Sequence, residues 1–290
     1  MEPKEIEQFC QYLSARNYSS QTIESYGIDL RLFFAEINKP LKQTTWCEVD
    51  SFIIRQHQKK LAATTINRRL NAIKHFFEYL VSEQELLLSN PVKPSHYLRL
   101  GRPLPKKLNQ EQVKQLFAKI INQMDYTLFL LMLRCGLRVS EVANLKVSDL
   151  DWEQLALIIR QGKGRKDRRV YLSPDVVINL KQCLQNRPSQ KMEGYLFWNQ
   201  KRKNQPLSIK AIQKKMERYA KAAGIETSCH GLRHTFASNL LEEGAEVISI
   251  KEFLGHNSIA SSERYARLSN LKIKQTYLQT MRKVINKTRV

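Results

Sequence analysis

Four prolines, Pro91, Pro94, Pro103 and Pro105, lie between residues 91 and 107, and no other feature limits the folding of this chain as strongly. Proline fixes its own φ, lacks a backbone N–H and pushes the preceding residue out of helical geometry, so no helix continues through such a stretch. Gly101 loosens it further, and Lys93, Arg99, Arg102, Lys106 and Lys107 have no acidic residue among them. The segment 91–107 is therefore expected to be an extended basic linker. It divides the 290 residues into an N-terminal domain over 1–90 and a C-terminal domain over 108–290.

Before the break the apolar residues recur at helical intervals. Ile6, Phe9, Cys10 and Leu13 give one buried stripe, and Ile23, Tyr26, Leu30, Phe33 and Ile37 a second, capped by Ser19-Ser20. Thr45 and Glu48 have the spacing of a capping box ahead of Val49, Phe52 and Ile53. Ile66, Leu70, Ile73, Phe77 and Leu80 stripe a fourth helix, whose other face carries Asn67, Arg68, Asn71, Lys74 and His75. Four helices are expected here.

Beyond Leu108 a helix is expected around Val113, Leu116, Phe117 and Ile120, and a strongly apolar one from Tyr126 to about Cys135. Residues 156–160 and 168–173 are strand-like and joined by a Gly-Lys-Gly loop at 162–164. Helices follow over about 208–223, 231–243 and 246–254, and Leu271, Leu278, Met281 and Ile285 stripe a C-terminal one. The expected class is mainly α (α+β), with one small antiparallel sheet in the second domain.

Charge narrows the function. Forty-eight Lys and Arg against 27 Asp and Glu leave +21, and residues 101–290 hold +19 of it. Hydrophobic residues at 42% exclude a disordered polycation, so this is a folded polycation with a polyanionic partner, nucleic acid in the first place. The basic and amide side chains placed to meet DNA are Arg68, Asn71 and Lys74 on the fourth helix, Arg99, Arg102 and Lys106 in the linker, and Arg165 and Lys166 beside the loop. No run of about 18 apolar residues exists to span a bilayer, and no helix pairs a basic face with Trp and Leu to lie on one. The N-terminus lacks an apolar signal region. Cys10, Cys47, Cys135, Cys183 and Cys229 are odd in number and widely spaced, against both a zinc site and a disulfide framework. A cytoplasmic, nucleoid-associated protein is expected.

Five short segments carry reactive side chains. Gly136-Leu137-Arg138-Val139-Ser140-Glu141 sets an arginine at a turn between helices, and Lys163 sits between two glycines at a hairpin tip. His230 and Arg233 are three apart at the start of a helix, His256 follows Gly255 at the end of another, and Tyr265 comes nine residues later. Each is weak alone. Together they answer one need: arginines clamp the oxygens of a phosphodiester, a lysine protonates a departing alkoxide, histidines move protons and a tyrosine attacks. There is neither a carboxylate cluster for paired metals nor a glycine-rich nucleotide loop, so cationic side chains have to stabilise the charge.

In that order, Arg138, Lys163, His230-x-x-Arg233, His256 and Tyr265 resemble the tyrosine recombinase (lambda-integrase) family. The strings Gly-Leu-Arg-x-Ser-Glu, His-x-Leu-Arg-His-Thr-Phe-Ala and Leu-Gly-His are similar as well. Upstream, Ser20-x-Thr22-x-x-x-Tyr26-x-x-Asp29-Leu30-x-x-Phe33 resembles the family's helical core-binding domain. The resemblance covers about residues 3–285. It implies a clamp of two domains around double-stranded DNA at an inverted-repeat core site. Tyr265 forms a 3′-phosphotyrosyl link, Arg138, Arg233 and His256 hold the phosphate, Lys163 is the general acid and His230 the proton acceptor. No cofactor, metal or ATP is implied. The partners implied are a homotetramer, or a heterotetramer with a paralogue, on two duplexes passing through a Holliday junction, with accessory DNA-bending proteins in some systems. The tail after Leu271 resembles the segment that such proteins dock into a neighbouring protomer.

The first core-binding helix begins by about residue 4, so no N-terminal arm-binding domain is expected, as in the simple XerC/XerD-like recombinases. Three departures are notable: Cys135 in place of threonine before Gly-Leu-Arg, Ala266-Arg267 in place of Thr-His after the tyrosine, and an Asn-Lys-Thr-Arg-Val ending. A mobile-element recombinase, resolving cointegrates or integrating DNA, is therefore as fitting as dimer resolution. The rival readings are DNA relaxation like that of a type IB topoisomerase, and a DNA-binding regulator that does not cut. Tyr277, the other tyrosine of the tail, lies within the helical stripe and off the spacing from His256.

Overall fold

The described residues of this computed structural model are 4–87, 89–100, 107–160, 167–185, 187, 194–199, 205–254 and 266–288, without the side chains of 247, 248, 251 and 266–274. Its first compact unit, Met1–Pro103, holds α1 (Glu5–Ala15), α2 (Ser20–Ile37), α3 (Trp46–Gln58) and α4 (Ala63–Ser82). The caps are those written in the sequence. Ser19 Oγ accepts from Thr22 N, and Thr45 and Glu48 close a full capping box at α3. A hydrogen bond from Lys39 and others from Thr45 hold the Glu48 carboxyl down at about 2. The apolar stripes meet in a core of aromatic rings, Phe33 standing edge-on to Phe52 at 5.1 Å and 81°.

The expected linker is shorter than its prolines suggest. Pro91, Val92 and His96 are buried in the first unit, and Asn67 on α4 both donates to Leu98 O and accepts from Leu98 N, each at 2.9 Å. Asn90 donates to Lys74 O and accepts from Val92 N. Side-chain amides thus supply the hydrogen bonds that a proline-broken backbone cannot make with itself.

The second unit, Leu104–Val290, contains α5 (Gln110–Ala118), α6 (Gln123–Cys135), α7 (Val139–Asn144), β1 (Leu150–Asp151), β2 (Ala156–Ile159), β3 (Arg168–Tyr171), α8 (Pro174–Gln185), α9 (Ile209–Ala222), α10 (Cys229–Glu242), α11 (Val247–Leu254) and α12 (Ala266–Lys287). The strands form one antiparallel sheet in the order β1-β2-β3, with Ala156 opposite Tyr171 and Ile159 opposite Arg168. Two elements, β1 and α8, were not expected from the sequence. Two residues are too few to show an alternation, whereas Val176, Leu180 and Cys183 of α8 do carry the helical spacing and are all buried.

Helix α6 is the centre of this unit, buried from Thr127 to Cys135, and it packs on α8 and α10. Its two buried charges are fully partnered. Asp125 accepts both oxygens' worth of bonds from Lys215 and one from Tyr219 Oη. Arg134 donates Nε to Asp175 at 2.8 Å, Nη1 to Thr288 Oγ1 at 2.7 Å and Nη2 to Thr288 O at 3.0 Å, so it ties the end of the chain to the central helix. A second apolar cluster joins Phe236, Leu240, Phe253, Leu254, Tyr277 and Met281, seating α11 and α12 against α10 and the sheet.

Candidate active site

Helix α6 ends at Gly136, which has φ +64°, and a Cβ there would lie 2.4 Å from Phe236 Cδ1. Left-handed backbone and close approach to a buried ring both demand glycine at this position. Two residues on, Arg138 takes the extended N-cap position of α7. Its backbone N donates to Glu141 Oε2 and its Nη1 to Glu141 Oε1, both at 2.7 Å. The spacing that makes a capping box therefore also aims a guanidinium.

From α10, whose first turn is capped by Ser228 Oγ, come His230 and Arg233 on one face. Arg233 is buried. Its Nη1 donates to Gly136 O and its Nη2 to Leu254 O, each at 2.6 Å, with Glu141 Oε2 3.9 Å away. Arg168 reaches in from the start of β3. It makes a two-pronged pair with Glu141, both bonds at 2.8 Å, and donates Nε to Phe253 O at 3.1 Å.

Three arginines thus surround one carboxylate. Burial alone lifts the Glu141 carboxyl, but bonds from Arg168 and Arg138 outweigh it and hold it down at about 2. Arg233 is pushed down to about 10 by burial and by the charge of Arg138, and stays charged at neutral pH. His230 falls below its ordinary value through partial burial, the neighbouring His234 and the charges of Arg233 and Arg138, so the free base predominates near neutrality. Arg138, Ser140, His230 and Arg233 line one open cavity of about 860 Å³, a cationic recess that suits a phosphodiester.

Of the six expected catalytic residues, the structure brings together Arg138, His230 and Arg233. Lys163, His256 and Tyr265 lie outside the described residues, as do Arg102, Lys106, Arg165 and Lys166. Tyr277 is buried, donates its hydroxyl to Arg134 O at 3.1 Å, and has a phenol raised well above the usual range by burial and Cys135, which closes it off as a nucleophile. Cys135 donates Sγ to Tyr171 O at 3.6 Å, and burial pushes its thiol up to about 12.

The expected DNA-facing side chains of the first unit have internal partners too. Arg68 Nη2 donates to the buried Asp29 at 3.0 Å, Asn71 Oδ1 accepts from Tyr97 Oη at 2.7 Å, and Lys74 pairs with Glu78 on the exposed face at 3.4 Å. Arg99 is exposed. Sequence reasoning missed the role of Glu141, which its Arg-x-x-Glu spacing signals, and that of Arg168, whose pairing spans 27 residues and has no local signature. Among the described residues no three His, Cys, Asp or Glu side chains group as metal ligands, and no helix is long and apolar enough to cross a membrane.

The Phage integrase family matches residues 106–272, and the Phage integrase N-terminal SAM-like domain matches residues 6–84. Tyrosine recombinase XerA of Pyrococcus furiosus is 32% identical over 274 residues, covering 93% of this chain and 91% of that protein. Tyrosine recombinase XerC of Oceanobacillus iheyensis is 28% identical over 293 residues, covering 95% of each. The integrase of transposon Tn1549, solved in complex with circular intermediate DNA, has the same fold at a TM-score of 0.71, with 19% identity over 91% of this chain and 98% of that one.

Proposed function

We propose the following on the premise that this chain belongs to the phage integrase family: it is a tyrosine-type, site-specific DNA recombinase. Its substrate is double-stranded DNA with an inverted-repeat core site. Arg138 and Arg233, helped by His256, bind the non-bridging oxygens of the scissile phosphate. The oxygen of Tyr265 attacks phosphorus, forming a 3′-phosphotyrosyl ester, and the bond to the 5′-oxygen breaks. His230 accepts the phenolic proton and Lys163 supplies the one that the 5′-oxygen takes up. The free 5′-hydroxyl of a second strand reverses these steps on a new partner, so the energy of the broken ester is kept and ATP is not consumed. Two rounds in a tetramer, through a Holliday junction, exchange both strands. This tetramer is built either from one protein or from two paralogues. The N-terminal domain over 1–90 and the C-terminal domain over 108–290 both contact the duplex, in the cytoplasm.

The observation that supports this most is the cavity in which Arg138, Arg233 and an uncharged His230 converge. A phenol with a pKa of roughly 10 needs both a base and a cationic field to act near neutral pH, and these groups are of those kinds. The test is a core-site duplex nicked beside the cleavage point, which traps the covalent intermediate. Wild-type protein is expected to become attached to the DNA and Tyr265→Phe to remain free. Attachment that persists in Tyr265→Phe overturns the assignment.

A further inference from the structure

The carboxylate of Glu141 has two guanidiniums bonded to it and a third close by, yet only two of the three belong to the set read from the sequence. Arg168, one of the bonded pair, is the one outside that set. It sits on β3 with a side chain 12% exposed, and it commits three nitrogens inside the protein: two to Glu141 and one to Phe253 O. Arg233 grips the next carbonyl, Leu254 O, and reaches back to Gly136 O. Two arginines from separate elements therefore hold the last two carbonyls of α11, the helix end that His256 follows two residues later. They also hold Glu141, which in turn fixes Arg138 through a backbone bond and a side-chain bond.

We propose that Arg168 is a positioning residue for strand cleavage: its paired bonds to Glu141 and its bond to Phe253 O lock Arg138 and the end of α11 in one frame. This rests on the recombinase reading above. A planar guanidinium suits the task, because it delivers two parallel bonds to a carboxylate and a third at a fixed angle, which an ammonium cannot do. Arg168, committed to these internal partners, is not a DNA contact. It acts through Glu141.

The consequence is a pH signature. Among the described residues, the charged groups facing Glu141 are Arg138 at the start of its own helix, Arg168 from β3 and Arg233 from α10. His230 belongs to the cavity on the Arg138 side, and on its other side Glu141 borders a second cavity shared with Lys146, Asp149, Arg160 and Tyr195. Arg168 provides the largest of the effects that keep the carboxyl ionised against burial. Without it, burial protonates Glu141 at a higher pH, and the protonated acid releases Arg138. His230 is present in every variant, and because Arg138 lowers it, Glu141→Gln, which frees Arg138 and has no carboxyl to titrate, is the reference for any change in its limb.

The experiment measures single-turnover attachment to the nicked duplex from pH 5 to pH 8, with DNA affinity and melting temperature measured alongside, for wild type, Arg168→Gln, Arg168→Lys, Glu141→Gln and the double variant. Arg168→Gln is expected to keep DNA affinity within about threefold and to lose roughly 10- to 100-fold in cleavage rate, the scale of an ångström-sized misplacement. It should also gain an acid limb between about pH 7 and pH 5, where a buried carboxyl without its partner titrates. Arg168→Lys, which keeps the charge, should recover only part of the rate. The double variant should cleave no more slowly than Glu141→Gln and should lack the new limb. Equal rates and parallel profiles for wild type and Arg168→Gln overturn the proposal. So does a loss of cleavage matched by an equal loss of DNA binding, or an acid limb beyond that of Glu141→Gln that survives in the double variant. Failure of wild type to attach at all is a different result, and it removes the recombinase reading itself.

Discussion

Gly136→Ala probes the frame of the site at a single methyl group. In the structure φ at Gly136 is +64°, where an alanine costs about 1 kcal/mol or somewhat more. The added Cβ lies 2.4 and 2.6 Å from two atoms of the Phe236 ring and 3.1 Å from Leu254 Cδ2. Phe236 is 1% exposed, so it has nowhere to retreat, and overpacking of this kind costs roughly 1–3 kcal/mol. The sum is roughly 2–5 kcal/mol, or a fall of roughly 4–20 °C in the melting temperature of a unit this size. Gly224 is the internal control, since its φ is +68° but nothing lies within 4 Å of its added Cβ. Gly224→Ala should show the backbone cost alone. Thermal unfolding of both variants, followed by circular dichroism in the full chain, separates strain from clash. Cleavage should fall further in Gly136→Ala than stability explains, because Gly136 O is an acceptor of Arg233. Equal melting temperatures for the two variants would refute the packing described around Phe236.

Three further outcomes are expected. Thr288→Val removes the 2.7 Å acceptor of the buried Arg134 Nη1 and should destabilise the protein by about 1–3 kcal/mol in thermal unfolding, since a buried donor is left without a partner; an unchanged melting temperature would show that the tail is not anchored there. Because the pKa of His230 lies below its ordinary value of 6.5, cleavage by wild type should be flat across neutrality and lost only as pH falls below that value, with the limb moved or removed in His230→Gln; a midpoint above 6.5 contradicts the environment described. Arg138→Ala should retain DNA binding measured by gel shift, since many backbone contacts share the affinity, while cleavage of the nicked duplex is lost; loss of both makes Arg138 a structural residue.

Much of the fold was legible because its signals are local. The stripes of α1 to α4, the Ser19 cap and the Thr45–Glu48 box depend on residues within four positions of one another, and all are present. The turn that presents Arg138 was also legible, from Gly136 and the residues around it. What escaped depends on pairings distant in sequence. The proline-rich stretch reads as linker by itself, but Asn67, thirty-one residues upstream of Leu98, folds the beginning of it onto α4. The helix face of Arg68 and Asn71 reads as free for a partner, yet Asp29 and Tyr97 engage both side chains from other segments. Arg233 reads as a phosphate clamp, yet in the structure it also ties Gly136 to Leu254, a bond between distant segments that has no local signature. Glu141 was visible as a letter of a motif while its function as the common acceptor of two arginines was not, because Arg168 meets it from a strand 27 residues away.

The most direct measurement is to digest the trapped protein–DNA adduct, formed in the presence of a metal chelator, and locate the nucleotide by mass spectrometry. A 3′-linked nucleotide on the peptide containing Tyr265, in undiminished yield, is the outcome expected when cationic side chains alone support the transfer. A nucleotide on Tyr277 or any other residue, or an adduct that forms only after a divalent metal is restored, contradicts it.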